Sequence, residues 1–389
     1  MPPFNRIIPE AWSQVKSLLY FLLDTLTLRA AQNTRQKLLL VRLDDIGDYI
    51  LFRNFIAYLR KSGRYGPYKI TLCGNKNWKN LAEVLDAPFV DEFLWIDREK
   101  FRKDFFYRYK ILRDMALSGY AVAVQPAFSR CFNEGDAIVR ASMAPTRIGA
   151  RGDLTNMTKF EKNISDRYYT ELIDTGEDCV FEFDRNKEFF EKLLKEPMPI
   201  SRPVLEKVMA TQQAYSSLRP YVILFLGASA SRRRWSPGNF SVLADFIRRN
   251  SGLTVVLAGG EQDTASAAAI IHNTGSERIV DLTAKTSLVE LAQMAADAEF
   301  FVSNETGFVH IAVAAGAKGI CLSNGNHYGR FNPYPLHVYE RIDYIYPDRL
   351  SQMNIERCRQ QRSFVSCLDV NDVPTNKAIE ILRKYLKAC

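Results

Sequence analysis

The stretch Glu299-Phe300-Phe301-Val302-Ser303-Asn304-Glu305-Thr306-Gly307-Phe308-Val309-His310-Ile311-Ala312-Val313-Ala314-Ala315-Gly316 decides the fold. Its first six residues are mostly apolar and β-favouring and read as a buried strand. Its last part is rich in Ala and Ile and closes on Gly316, so it reads as a helix with a glycine stop. Thr306 stands where it can cap that helix, and Gly307 lets a ligand come close to the backbone. A strand, a glycine turn and a helix aim free N–H groups at one point, which favours an anion such as a phosphate. The residues alone equally suit an ordinary strand–turn–helix with Thr306 as a plain cap.

The same unit recurs on both sides of this stretch. Toward the N-terminus, Lys37 to Leu43 is a continuous apolar strand, Asp44-Asp45-Ile46-Gly47-Asp48 a tight acidic turn, and Tyr49 to Arg60 a helix with Ile50, Phe52, Phe55, Ile56 and Leu59 at helical spacing. Strands then follow at Lys69–Cys73, Phe89–Ile96 and Tyr120–Gln125, with helices at Trp78–Leu85 and Phe105–Leu117. Arg140 to Ile148 fits a helix and strand, Gly149 to Asp166 an exposed loop, and Glu188 to Leu194 a helix. A second series holds strands at Tyr221–Leu226, Leu253–Ala258, Ile279–Asp281 and Lys318–Leu322, with helices at Phe240–Asn250, Thr264–His272 and Ser287–Ala298. Alternating strands and helices imply parallel sheets covered on both faces. Two such series predict an α/β protein of two facing Rossmann-like domains with a central cleft, ligands lying beyond the C-terminal ends of the strands.

At 389 residues the chain exceeds one typical core. The expected organisation is an N-terminal amphipathic helix region over 1–36, a first domain over 37–200, a linker over 201–219, a second domain over 220–365, and a C-terminal helix over 366–389 that packs back across both. Pro197, Pro199 and Pro203 mark the linker. Hydrophobic content of 47% and charged content of 25% are those of a globular protein, and a net charge of +8 suits anionic partners. The seven cysteines are dispersed without a CxxC, which argues against a disulfide framework and a zinc site and for a reducing, cytoplasmic setting. Cys358 and Cys367 could still meet across a loop. No signal peptide is read at Met1-Pro2-Pro3-Phe4. The apolar run Leu18 to Leu23 ends at Asp24 and is too short to span a bilayer. It reads either as a helix packed on the protein or as one lying on an anionic membrane surface.

Four turns at strand ends carry the candidate chemistry: Asp45 to Asp48, Gly227 to Ser229, Gly259 to Glu261, and Glu305 to Gly307. Taken in order, with Arg233-Arg234-Trp235-Ser236-Pro237 and Asp281 to Leu288, they resemble the heptosyltransferases, glycosyltransferase family nine. The likeness runs from about residue 37 to 335 and resumes weakly at Cys367. It implies the GT-B fold, a nucleotide-sugar donor that is usually ADP-heptose, no metal or other cofactor in the chemistry, and inversion at the anomeric centre. The implied partners are the nucleotide-sugar and lipopolysaccharide core or a similar glycan. Contact with the inner-membrane surface is open, and no nucleic acid is expected.

By the resemblance, Asp48 matches the catalytic base that takes the acceptor hydroxyl's proton. Its place at a helix start is expected to keep it ionised; the residue alone also suits a plain helix cap. Arg233, where the family usually has lysine, would neutralise the leaving diphosphate. Ser229 matches a hydroxyl on the phosphate side, and Glu261 an acid that bonds the ribose. Thr286 falls where backbone groups bind the base. Glu305 replaces a common aspartate and would face the sugar hydroxyls, while Thr306, Gly307 and Phe308 would give N–H groups to the phosphates. His310 is open between a donor ligand and a packed residue. Asp44 and Asp45 stand where the family often has serines, and a proline common early in the next helix is missing between Leu51 and Phe55, which blurs the acceptor. A non-catalytic nucleotide-sugar binding protein, or the same fold with another donor or a protein acceptor, are the competing readings.

Overall fold

In the computed structural model, which describes residues 19–28, 35–176, 180–205, 215–353 and 366–387, two six-stranded parallel sheets face each other. The first contains β1 (Arg35–Arg42), β2 (Lys69–Asn75), β3 (Glu92–Ile96), β4 (Tyr120–Gln125), β5 (Thr146–Ala150) and β6 (Glu171–Ile173), in the order β3-β2-β1-β4-β5-β6. The second contains β7 (Tyr221–Phe225), β8 (Thr254–Ala258), β9 (Ile279–Asp281), β10 (Phe300–Asn304), β11 (Gly319–Leu322) and β12 (Ile342–Ile345), in the order β12-β11-β10-β7-β8-β9. Counted from its own first strand, each sheet has the doubly wound order 3-2-1-4-5-6. The crevice in such a sheet opens where the strand order reverses, between β1 and β4 in the first lobe and β7 and β10 in the second. This is the two-lobed GT-B arrangement.

The central strands are apolar on both faces because helices cover both. Leu38 and Leu40 of β1 enter one core and Leu39 and Val41 the other, as the two-residue period of a strand requires. Val222 and Leu224 of β7 divide from Tyr221 and Ile223 in the same way. The helix Gly307–Ala314 is buried on all sides. Phe308, Val309 and Ala312 pack into the second lobe, while Ile311, Val313 and Ala314 join the main core of the first. One short helix therefore keys the lobes together.

Several expectations shift. The edge strands β6 and β12 were not anticipated: they are three and four residues long and half exposed, so neither shows an apolar run. Residues Gly149 to Asp166 are not all loop, because Thr158 and Glu161 form a capping box that starts the helix Lys159–Ser165. The helix expected over Tyr49–Arg60 begins at Ile46 and is interrupted at Arg53, giving Ile46–Phe52 and Asn54–Lys61. The helix expected from Glu188 begins at Glu182. The C-terminal helix Thr375–Leu386 sets its buried Ala378, Leu382 and Tyr385 into the second lobe's core. Of the expected linker, residues 206–214 lie outside the described residues, as does Cys358; Cys367 is a free thiol. Among the described residues no helix is long and apolar enough to cross a membrane.

The helix Ile46–Phe52 is held by a buried polar cluster. Asp86 accepts from the Arg53 Nε (3.1 Å) and Nη2 (2.9 Å) and from the Tyr49 hydroxyl (2.6 Å). Arg53 also donates to the Val204 carbonyl at 2.7 Å, where the chain leaves the first lobe. Removing one partner leaves a buried charge uncompensated. Asp86→Ala is therefore expected to destabilise the protein by about 3–5 kcal/mol, read as an earlier midpoint in urea unfolding.

Candidate active site

The turn after β1 and the turn after β10 meet across the cleft. A Cβ placed on Gly307 would lie 3.3 Å from the Gly47 nitrogen, and one on Gly47 would lie 2.7 Å from the His310 ring. Gly307 lets the two turns approach backbone to backbone, and Gly47 leaves room for the His310 ring. Around this contact lies a cavity of about 470 Å³, lined by Asp48, Ser229, Arg233, Glu305, Thr306, Gly307, Phe308 and His310 among others. A second cavity of about 260 Å³, lined by Asp44, Asp48, Arg98, Ser129, Glu182 and Arg330 among others, reaches Asp48 from the first-lobe side. Asp48 thus stands on the wall that the two cavities share.

Charge around Asp48 is set by three carboxyl groups and two arginines. Arg42, 1% exposed at the end of β1, pairs with Asp44 at 2.8 Å, Glu182 at 3.4 Å and Asp48 at 3.6 Å. Arg330 comes from the second lobe, pairs with Glu182 at 3.0 Å and donates to the Ser129 hydroxyl at 2.8 Å. Burial would raise Glu182, but Arg330 and Arg42 outweigh it and hold this carboxyl below its usual range. Asp48 has the longest of Arg42's pairings. Burial, reinforced by Asp44 and opposed by Arg42, pushes it up to about 8. The expectation that the helix start keeps Asp48 ionised is thereby corrected: loss of water outweighs the helix end.

On the second lobe, Arg233 donates to the Ser229 hydroxyl, so the two predicted phosphate-side groups are brought together. Glu305 is buried beneath them, and the Ser323 hydroxyl donates to its Oε2. Burial raises Glu305, while Ser323 and Arg233 oppose the rise. Thr306 occupies the N-cap of the helix Gly307–Ala314, but its side chain makes no capping bond, so the expected side-chain cap is absent. The Val309 amide of its first turn donates to the Thr306 carbonyl at 3.1 Å, while those of Gly307 and Phe308 stand at the helix start, where no intrahelical acceptor precedes them. Phe308 stacks on Phe225 at 4.4 Å and walls the cavity. His310 is both packed and cavity-lining: its Nδ1 lies 2.7 Å from the Tyr334 hydroxyl, and burial drops it to about 4, so the ring is neutral. Glu261 is exposed beyond β8 and Thr286 precedes the helix Leu288–Asp297; neither lines the cavity, whereas Leu288 and Leu291 do. Trp235 is buried and packs on Phe240.

Arg42, Glu182 and Arg330 received no role from the sequence. Arg42 carried a usable signal, because a charge inside a fully buried strand must be paired. Glu182 and Arg330 are 148 positions apart and meet only through the fold. Among the described residues no group of three or more His, Cys, Asp or Glu is placed to hold a metal ion.

The family model for glycosyltransferase family 9 (heptosyltransferase) matches residues 136–340. No curated protein sequence matches the chain. Among solved structures, a family 9 glycosyl transferase from Veillonella parvula is similar with a TM-score of 0.68 at 17% identity, over 92% of this chain and 99% of that one. E. coli heptosyltransferase WaaC with ADP-2-deoxy-2-fluoro heptose is similar with a TM-score of 0.67 at 14% identity, over 90% and 99%. E. coli ADP-heptose heptosyltransferase II gives 0.64 at 18% identity, over 90% and 99%. At these identities the likeness bears on the fold.

The charge cluster makes a signed prediction. Glu182→Gln removes a negative charge that raises Asp48 and leaves Arg42 freer to pair with it, so the Asp48 midpoint falls from about 8 by about 1 or more. Carbon-13 NMR of the labelled carboxyl groups reads the change; an unchanged or higher midpoint contradicts this account.

Proposed function

This chain belongs to glycosyltransferase family 9, the heptosyltransferase family, and from that premise we propose that it moves a heptose or related sugar from an ADP-sugar to a hydroxyl of lipopolysaccharide core or a similar bacterial surface glycan. The reaction proposed is an inverting, metal-independent displacement in the cytoplasm. One observation carries the reading: the Asp48 carboxyl stands between two cavities, one walled by the cationic and amide groups of the second lobe. The complex of the similar WaaC with an ADP-fluoroheptose supports the donor assignment.

In this reading the donor occupies the larger cavity. Its diphosphate lies against Arg233, Ser229 and the amides of Thr306, Gly307 and Phe308, where the helix end favours negative charge. Glu305 faces the sugar hydroxyls, and neutral His310 supports the floor of the site. Leu288, Leu291 and the Phe225–Phe308 pair offer an apolar wall for the adenine. Glu261 and Thr286 are assigned to the ribose and the base edge on resemblance alone.

The acceptor hydroxyl approaches through the smaller cavity. Its oxygen attacks the anomeric carbon and its proton passes to Asp48. The bond from that carbon to the diphosphate oxygen breaks, and the electron pair leaves with ADP. Charge growing on the leaving group is met by Arg233 and the helix-end amides, which are fixed before the reaction starts. An Asp of ordinary acidity is a weak base toward a hydroxyl. Burial raises Asp48 toward the working pH and so makes it a better proton acceptor.

Asp48→Ala is expected to cut transfer by about 10²–10⁴-fold with donor binding retained. Wild type that binds the donor but turns it over with no glycan acceptor would instead support the binding-protein reading. Because the base works deprotonated, kcat/KM should rise about tenfold per pH unit up to about 8 and then level. A flat profile between pH 6 and 8 would contradict Asp48 as the base. Thermal-shift screening of ADP-heptose against ADP-, GDP- and UDP-hexoses should select the adenine donor, and transfer should survive chelation by EDTA.

A further inference from the structure

A helix on a globular protein normally buries its leucines and shows its charges to water. The helix at residues 19–25, with the turn that follows, packs Leu28 on the first lobe but departs from this rule on its outer face. Asp24 and Thr27 are buried, while Leu19, Leu22 and Leu26 are 54%, 54% and 50% exposed. The three leucines are spaced i, i+3 and i+7, so they form one face. The opposite face is fixed to the first lobe. Asp24 pairs with Arg108 through two bonds of 2.8 and 2.5 Å, and the Tyr20 hydroxyl donates to the Arg102 carbonyl at 2.8 Å. Arg140 donates to the Phe21 carbonyl at 3.2 Å.

We propose that this outward leucine face docks on a lipid surface rich in anionic headgroups. An amphipathic helix that buries a few leucines at the acyl boundary, flanked by cations, binds such surfaces by combining apolar burial with charge attraction. The cations are adjacent. The Tyr20–Arg102 bond ties this segment to the helix Arg98–Lys103, which carries four basic residues (Arg98, Lys100, Arg102, Lys103) and one acid (Glu99). The Arg102 and Lys103 side chains pair with Glu134 and Glu99 yet stay 51% and 70% exposed, and Lys100 is exposed beside them. A second copy of the chain is a poorer occupant, because three leucines fall far short of the roughly 800 Å² per partner of a stable protein interface.

The placement also bears on the acceptor. Tyr20 lines a cavity of about 360 Å³ together with Asp44, Arg98, Gln125 and Ser129, and Asp44, Arg98 and Ser129 also line the cavity that reaches Asp48. Docking through the leucine face sets this route to Asp48 against the bilayer, where a lipid-anchored acceptor is presented. The docking itself goes beyond the transferase reading and does not rest on it.

Sedimentation of the full chain with vesicles tests the idea. Binding to phosphatidylglycerol–phosphatidylethanolamine vesicles is expected to exceed binding to phosphatidylcholine vesicles by about tenfold or more and to weaken at high salt. The triple variant Leu19→Ser/Leu22→Ser/Leu26→Ser should lose that binding while keeping its thermal midpoint. Lys100→Glu/Lys103→Glu, made entirely at exposed positions, should lose it in the same way and covers the case in which the triple variant misfolds. Wild type that stays in the supernatant, or variants that sediment as wild type does, would overturn the proposal. So would a dimer that the leucine changes dissolve. Since no sugar transfer is measured, failure here leaves the transferase reading standing.

Discussion

Arg42 is the interaction on which the rest depends. It enters the core on the central strand of the first sheet and pairs with Asp44, Asp48 and Glu182. A guanidinium cannot shed its proton to escape burial, so the carboxyl groups around it must divide the work of neutralising it. Asp44 is its nearest partner, at 2.8 Å, while Glu182 is shared with Arg330 from the second lobe. Asp48 is left beside the cleft with the longest of the three pairings, and burial raises its affinity for a proton. Burial and the neighbouring Asp44, only partly offset by the shared cation, thus leave a carboxyl suited to accept a proton near neutrality.

The same cluster ties chemistry to architecture. Glu182 begins the helix Glu182–Leu194 of the first lobe, and Arg330 lies in a turn of the second. The pairing exists only when the lobes are in register, and so does the Gly47–Gly307 approach. The electrostatic environment of Asp48 and the shape of the donor cavity are therefore two readouts of one arrangement.

Much of this was legible in the chain. The strand–turn–helix around Glu305 to Gly307, the acidic turn ending at Asp48 and the doubled α/β series follow from apolar runs and glycine punctuation, because buried parallel strands leave a strong local signature. Edge strands left none: Glu171–Ile173 and Ile342–Ile345 are short and half exposed. Helix position is written in the sequence and burial is not, so the charge state of Asp48 does not follow from the chain alone. Arg330 and Glu182 carry no sequence signal, because ion pairs across a cleft leave no spacing to read. Glu261 and Thr286 show the converse, since a motif can be matched while its residue stands outside the cavity.

The helix Gly307–Ala314 belongs to two cores at once, and this constrains how the molecule breathes. A wide hinge between the lobes would pull Ile311, Val313 and Ala314 out of the first lobe into water, at about 25 cal/mol per Å² uncovered. The two halves are thus held by packed side chains as well as by the Glu182–Arg330 pair, and parting them uncovers both.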